Sequence, residues 1–378
     1  MIVVARFIGP IACLINQATT NLRTMHEAAL YTKNLDKSVR CRLCRHNCHI
    51  KDGKLGICMV RENRGGTLYS IFYGRPCALA VDPIEKKPLF HFRPGSRSFS
   101  VATLGCNFQC EFCQNWDISQ FGRSAGVAGF SPRSSGTNSS RTEVRYSKPE
   151  TLPSEVVNLA KENSCKTISY TYSEPTIFYE YARDIGRLAK KEGVENVFVT
   201  NGYMSREMLD ESRDWLTAAN IDLKAFKSET YHKIMKADLD GVLDSIAYMK
   251  KLGIWIEITT LVVPQMNDDE KELADIAKFI AGIGKDIPWH VSRFHPQYKM
   301  TDRPPTPIAT MRRAYELGKK AGLKYVYMGN VAGDDTENTF CWNCGEKLIE
   351  RFGFTIGKVK LTKTCICPKC SSKIDGIF

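Results

Sequence analysis

Three cysteines, Cys106, Cys110 and Cys113, stand in C-x3-C-x2-C spacing on one short loop, Leu104 to Asn115. Thiolates are soft ligands that select iron–sulfur clusters or zinc. A loop this tight can place three sulfurs on three corners of one cube-shaped cluster, and such clusters normally take four thiolates. No fourth cysteine lies within the loop. A 4Fe–4S cluster held here therefore keeps one iron open to a substrate or cofactor. Zinc with a distant fourth ligand, or plain core cysteines, are the other readings of the spacing alone.

Two more cysteine groups flank this loop. The chain holds 15 cysteines in 378 residues. An odd count in close-spaced groups does not resemble a secreted disulfide framework. It reads as metal ligation in a reducing, cytoplasmic compartment. Cys41-x2-Cys44-x3-Cys48-x9-Cys58 forms a closed four-thiolate set. Such a set suits structural zinc or an auxiliary iron–sulfur cluster, and spacing does not separate them. His46 and His49 read as surface or supporting residues, since four thiolates already suffice. Near the end, Cys341-x2-Cys344 and Cys367-x2-Cys370 are paired knuckles around a strand-like stretch, the pattern of a zinc ribbon. Cys365 competes with Cys367, but the second CxxC repeats the first; a redox CxxC pair is the alternative. Cys13, Cys77, Cys165 and Cys365 read as small buried hydrophobes.

From Pro149 onward, helical and strand-like segments alternate. Helices are expected at 154–163, 176–191, 205–219, 240–252, 268–283 and 307–321. Strands are expected at 167–172, 196–200, 220–223, 255–263, 289–294 and 325–328, after a first strand at 98–104 that runs into the cysteine loop. Alternation implies parallel strands joined by right-handed crossovers. Six or seven such units suit an incomplete barrel. Polar residues fall at or just past the strand ends: Cys106, Glu174, Asn201, Asp222 with Lys224, and His295. In parallel β/α barrels that end builds the active site. Taken singly, each of these is better explained by capping or a surface role.

The remaining segments set the domain bounds. Residues 1–40 read as an N-terminal extension, apolar at first but interrupted by Arg6 and Pro10, with the compact protein starting near Met25. Residues 41–97 form a cysteine-rich module and a proline-containing arm, 98–330 the barrel, and 331–378 the ribbon. Within the barrel, residues 122–148 carry few core-forming side chains and read as a flexible insertion, a surface loop in preference to a substrate gate. No apolar run reaches the ~20 residues of a spanning helix. The formal net charge of +12 is concentrated early, with 16 Lys and Arg against 6 Asp and Glu in residues 1–105. That excess attracts an acidic protein, an electron donor or, less favoured, nucleic acid.

The cysteine loop, with Phe112 just before its last cysteine, resembles the radical S-adenosylmethionine (SAM) signature. The resemblance implies that the open iron binds SAM through its amino and carboxylate groups. An electron then cleaves SAM to a 5′-deoxyadenosyl radical. Thr171-Tyr172-Ser173-Glu174-Pro175 resembles the family's "GEP" motif, which holds the SAM amino group, with Ser173 in place of glycine. Thr200-Asn201-Gly202, Asp222-Leu223-Lys224 and Phe294-His295 resemble motifs of the pyruvate formate-lyase activases. They imply that Glu174, Asn201, Asp222, Lys224 and His295 surround SAM, with the lysine and histidine near its carboxylate and ribose and the aspartate at a cation site. Those activases carry aspartate just before T-N-G, where this chain has Val199.

From about residue 41 to its end the chain is similar to the radical SAM enzyme of the AmmeMemoRadiSam system. The shared segments are 41–61, 82–94, 106–119, 170–175, 257–268 and 289–300, with Arg45 where that family has proline. The resemblance implies an α/β fold with a partial (β/α)6-type radical SAM barrel, an N-terminal cysteine-rich metal module and a C-terminal zinc ribbon. It implies a 4Fe–4S cluster, SAM and a low-potential electron donor such as ferredoxin or flavodoxin. Hydrogen abstraction from a protein or small molecule follows, with a glycyl-radical-activase-like role as one concrete form. Memo-like and AMMECR-type proteins enter as partners through genomic association. RNA modification is the alternative within the same chemistry, and a non-catalytic iron–sulfur or zinc scaffold is the alternative outside it.

Overall fold

The computed structural model describes residues 25–123, 150–331, 333–362 and 364–378. Residues 1–24 and all but the first two residues of the expected insertion at 122–148 lie outside the described residues.

Six short strands come first: β1 (His26–Glu27), β2 (Tyr31–Lys33), β3 (Val39–Cys41), β4 (His49–Ile50), β5 (Arg61–Arg64) and β6 (Thr67–Ser70). They pair antiparallel into two three-stranded sheets, ordered β1-β6-β5 and β2-β3-β4. The extension expected over residues 1–40 is therefore shorter, because residues 26–41 belong to the cysteine module. Arg61 and Glu180 pin this module to the body of the protein with a buried ion pair at 2.9 Å. Ala29 N donates to the same Glu180 carboxylate at 2.7 Å.

The body is an eight-stranded sheet: β7 (Ala78–Pro83), β8 (Arg97–Ala102), β9 (Thr167–Tyr170), β10 (Glu195–Thr200), β11 (Leu216–Asp222), β12 (Trp255–Val262), β13 (Trp289–Arg293) and β14 (Val326–Gly329). Each strand pairs with the next in sequence. β7 runs antiparallel to β8, and β8 through β14 are parallel. Helices at Pro153–Glu162, Tyr179–Lys191, Arg206–Ser212, Leu239–Lys251, Glu270–Ile283 and Ile308–Lys320 make the six crossovers. Sequential order with crossovers of one hand keeps all these helices on one face. The other face is left to polar side chains and to the arm.

One expected helix is half as long as its sequence suggests. Residues 205–219 read as helical, yet the helix ends at Ser212 and β11 begins at Leu216. Ser205 caps its start by accepting from Met208 N at 3.1 Å. The helix stops because Trp215 packs on Gly186, where even a Cβ would collide with the indole. Ala218 to Ile221 then pair with both β10 and β12. Pairing on both edges overrides the helix preference of Ala218-Ala219.

The arm after β7 fills the starting end of the sheet. Phe90 N and His91 N donate to the buried Glu257 carboxylate at 2.9 and 2.8 Å, and His290 Nε2 lies 2.7 Å from it. Asn220 Nδ2 holds Pro88 O at 2.8 Å. Beyond β14, β15 (Thr339–Phe340), β16 (Lys347–Phe352) and β17 (Thr355–Val359) form an antiparallel sheet. Leu348 and Ile349 from it bury with Phe90, Tyr325 and Tyr327. Arm and C-terminal unit thus close the end where the strands begin, and the opposite end carries the cysteine loop.

Candidate functional site

Gly105 delivers the loop. Its φ of +95° suits glycine, and a Cβ there would approach Cys58 O to 2.8 Å. Phe108 and Phe112 anchor the loop by burial, at 1% and 3% exposure, so the sulfurs around them are fixed by packing. Phe108 N donates to Cys106 Sγ at 3.3 Å. Ser119 Oγ lies 3.0 Å from Cys113 Sγ. Arg123 donates to Cys106 O and Phe108 O, both at 2.7 Å, and ties down the loop carbonyls.

Four of the five polar strand-end residues converge on these thiols. Asn201, just past β10, donates from Nδ2 to Asn107 Oδ1 at 2.7 Å, and that nitrogen lies 3.9 Å from Cys106 Sγ. Glu174, past β9, accepts from Asn201 N at 2.8 Å, from Thr200 Oγ1 at 2.7 Å, and from Thr176 N and Oγ1 at 3.1 and 2.5 Å. Past β11, Lys224 Nζ pairs with Asp222 at 2.7 Å. Burial opposes the charge on Lys224, but Asp222 and Cys110 outweigh it and hold its pKa above the usual lysine range. His295 stands two residues beyond β13, partly buried, and hydrogen-bonds to none of the other four among the described residues. Burial and Arg293 both lower its pKa.

Three observations concern residues to which the sequence gave no role of their own. Asn107 joins the loop to Asn201, Asn115 Nδ2 holds Tyr172 O at 2.9 Å, and Thr200 braces Glu174. Their adjacency to the motif cysteines and to Asn201 was the available signal. Arg123 was hidden by its neighbours, because the glycine- and serine-rich composition after it reads as a loop.

The two other cysteine groups differ in shape. Cys341, Cys344, Cys367 and Cys370 bring four sulfurs within 4.8 Å of one another. Cys341–Cys370 and Cys344–Cys367 are 3.5 and 3.7 Å apart. Cys365 stays outside this group. Cys41, Cys44, Cys48 and Cys58 instead line one cavity, with His46, Arg61 and Asn107 among its other walls.

The family model for the radical SAM superfamily matches residues 100–277, which run from β8 into the helix after β12. An uncharacterized protein of Methanocaldococcus jannaschii is 45% identical over 356 residues, 94% of this chain and 100% of that one. The pyruvate formate-lyase 1-activating enzyme of Escherichia coli is 24% identical over 252 residues, 62% of this chain and 93% of that one. The chain belongs to the radical SAM superfamily.

Membership sets aside the non-catalytic scaffold reading, since radical SAM proteins similar to activating enzymes are enzymes. A crystal structure of Streptococcus suis SuiB bound to S-adenosylmethionine has a TM-score of 0.45 and 13% identity, covering 65% of this chain and 53% of that one. The radical SAM family implies a 4Fe–4S cluster and SAM, and the residues present fit both. Three thiols with an N–H donor to Cys106 suit the cluster. Two buried polar atoms, Ser173 Oγ in the "GEP"-like motif and Asn107 Nδ2 beside Cys106, have no partner among the described residues. Unpaired buried polar groups are costly and call for a ligand or ordered water. No helix among the described residues is long and apolar enough to cross a membrane.

Proposed function

We propose that this radical SAM enzyme holds a 4Fe–4S cluster on Cys106, Cys110 and Cys113 and binds SAM at the remaining iron. Cluster and SAM together supply a 5′-deoxyadenosyl radical that abstracts hydrogen from a protein or small-molecule substrate. One observation carries the reading: Asn201, braced by Glu174, reaches Asn107 and the edge of Cys106, so three strand ends meet at one thiol loop. Glu174 keeps one side of Oε2 for the SAM amino group while its other acceptors fix the loop after β10. Lys224, a compact cation, faces the SAM carboxylate, and Asp222 holds it in place. His295 offers a ring N–H to the carboxylate or ribose. The sequentially ordered parallel sheet supports the (β/α)6-type barrel, whose strand ends enclose SAM and exclude water.

The four C-terminal thiols support a zinc ribbon. Tetrahedral zinc with bonds of about 2.3 Å needs sulfurs roughly 3.8 Å apart, close to the spacing found. Four thiolates leave no position for water, so this zinc is structural. The shared segments support placement with the AmmeMemoRadiSam radical SAM enzymes, a glycyl-radical-activase-like reaction, a ferredoxin or flavodoxin donor, and Memo-like and AMMECR-type partners. The test is anaerobic reconstitution with SAM and a strong reductant. Wild-type protein releases 5′-deoxyadenosine and Cys110→Ala does not; equal release from both overturns the reading.

A further inference from the structure

The inner face of the sheet changes character along its strands. Near the strand starts, Val197, Ala218 and Glu257 are fully buried against the arm. Further along the same strands, side chains return to that face by alternation. There Val199, Asp222 and Leu261 are partly exposed, as are Ala80, Tyr172 and Ser292. Solvent therefore reaches the inner face between the arm and the cysteine loop.

The floor of this opening carries a charge imbalance. Asp82 on β7 accepts from Lys86 Nζ at 2.8 Å, from Lys87 Nζ at 2.7 Å and from Ser100 Oγ at 2.7 Å. The Tyr172 hydroxyl donates to it as well. Neither lysine pairs with a second carboxylate among the described residues, so two ammonium groups share one counter-charge. Their side chains are only 21% and 1% exposed. Burial opposes the charge on Asp82, but Lys87 and Lys86 outweigh it and hold its carboxyl below the usual range. Burial lowers the pKa of Lys87 to about 8 against the pull of Asp82, and Lys86 pushes it the same way as burial. Buried charges are normally paired, and this cluster is short of one negative group. It also has donors to spare. Each ammonium offers three N–H groups. Among the described residues, Lys86 spends one on Asp82, and Lys87 spends one there and reaches Tyr172 OH only at 3.5 Å.

Tyr172 joins this floor to the cysteine loop. Its backbone oxygen accepts from Asn115 Nδ2 at 2.9 Å, while its ring descends to the lysines, 4.5 Å from Lys87 Nζ and 5.8 Å from Lys86 Nζ. Its φ of +65° is left-handed, which is uncommon for a bulky side chain. The contacts to Asn115 and Asp82 hold it there. Ser173, whose buried Oγ has no partner among the described residues, and Glu174 follow directly. The lysines thus stand one tyrosine's length beneath the proposed SAM site. Above them, Trp116, just after the loop, stacks on Tyr298 at 5.3 Å, and Lys299 N donates to Glu111 O at 3.0 Å. These contacts bridge the rim between the loop and the segment after β13. A recessed floor under a bridged rim suits a small molecule better than a protein loop.

We propose that Lys86 and Lys87, set on Asp82 and Tyr172, bind the anionic group, carboxylate or phosphate, of a small-molecule substrate and hold that substrate beneath SAM. The inference rests on the proposed function for the place of SAM, but anion binding needs no SAM cleavage, so the two readings fail separately. The full chain is dialysed to equilibrium against radiolabelled inorganic phosphate and, separately, radiolabelled succinate, at about 0.15 M salt, where exposed charges are screened. Wild type is expected to show a single saturable site, and the anion that fills it tells phosphate from carboxylate. Lys86→Gln, at the more exposed of the two lysines, is expected to bind that anion roughly ten- to a hundredfold more weakly. Lys51→Gln, at an exposed lysine of the cysteine module, is expected to bind as wild type does. No saturable binding of either anion overturns the proposal. So does binding that Lys86→Gln leaves unchanged, or that Lys51→Gln weakens equally. Should Lys86→Gln fail to fold by circular dichroism, protection of the wild type decides. Phosphate or succinate is expected to slow reductive methylation of Lys86, read by peptide mass spectrometry, and an equal rate without them overturns the proposal. Anion binding intact in a protein that releases no 5′-deoxyadenosine from SAM would count against the SAM site alone.

Discussion

Glu174 Oε2 accepts a hydrogen bond from the backbone N–H of Asn201 at 2.8 Å, so the end of β9 is tied to the end of β10. Burial pushes the Glu174 carboxyl above its usual range, and the N–H of Asn201 and the Thr176 and Thr200 hydroxyls pull against it. Glu174→Gln puts an amide, with two donors of its own, among groups that all donate to the carboxylate. Losing a charge-assisted contact costs about 1.5–3 kcal/mol. On the proposed reading, SAM affinity falls roughly ten- to a hundredfold, while iron content holds. Equilibrium dialysis with SAM measures this, and wild-type affinity in the variant would speak against it.

The Arg61–Glu180 pair joins the cysteine module to the helix after β9, with side chains 2% and 0% exposed. Removing one partner of a buried pair leaves an uncompensated charge and costs on the order of 3–5 kcal/mol. Glu180→Gln keeps the volume and is expected to loosen the module first. Limited proteolysis should then cut before β8 at protease levels that leave the wild type intact. An unchanged digestion pattern would show that the module is held by its apolar contacts instead.

Periodicity carried most of the sheet. Strands of four to eight residues between amphipathic helices leave a strong signal, so β8 to β14 lie within a few residues of where the pattern puts them. It failed at Ala218 and Ala219, where partners distant in sequence decide the backbone. The neighbours of the cysteine loop were legible wherever chemistry and motif coincide, as at Glu174 beside Cys106 and Lys224 beside Cys110. Asn107 and Arg123 were not legible, because an amide and a guanidinium earn their roles only from what folds next to them.

His91 links the arm to β14 through Tyr327 OH and to the C-terminal unit through Asp375 O, both at 2.6 Å. Burial lowers its pKa to about 4, against the pull of Glu257. Below its ordinary value near 6.5 the unfolded chain binds the proton more readily than the folded one. Stability from this group is therefore complete above pH ~6.5 and is lost as pH falls toward ~4, by about 3 kcal/mol. Denaturant titrations between pH 7 and 4.5 should show a shallower slope for His91→Asn than for wild type. Equal slopes would assign the acid sensitivity to other groups.

Cys367 is 0% exposed and its sulfur lies 3.7 Å from that of Cys344, whereas Cys365 stands outside the four-thiol group. On the ribbon reading, Cys367→Ser loses about one zinc per chain and Cys365→Ser keeps it. Metal analysis after exhaustive dialysis decides, and zinc loss from Cys365→Ser alone would reverse the ligand assignment.

Lys224 tests the SAM contacts most directly. Its ammonium is 2.7 Å from Asp222, with a side chain only 15% exposed, and lies 5.9 Å from the centre of the Phe112 ring inside the cysteine loop. Its charge stays on at any working pH, because Asp222 and Cys110 more than offset the cost of burial. Truncation to alanine removes the cation but touches no cluster ligand. Lys224→Ala is thus expected to keep wild-type iron and sulfide content. It should bind SAM roughly ten- to a hundredfold more weakly, and release 5′-deoxyadenosine at the wild-type rate only when SAM is raised to match. Asp222→Asn should show a smaller loss of the same kind, since it loosens the lysine without deleting it. Cys110→Ala should behave differently, with no cleavage at any SAM concentration. Wild-type SAM affinity in Lys224→Ala would place the lysine on the substrate side or at the surface, and would leave His295 as the contact to test next.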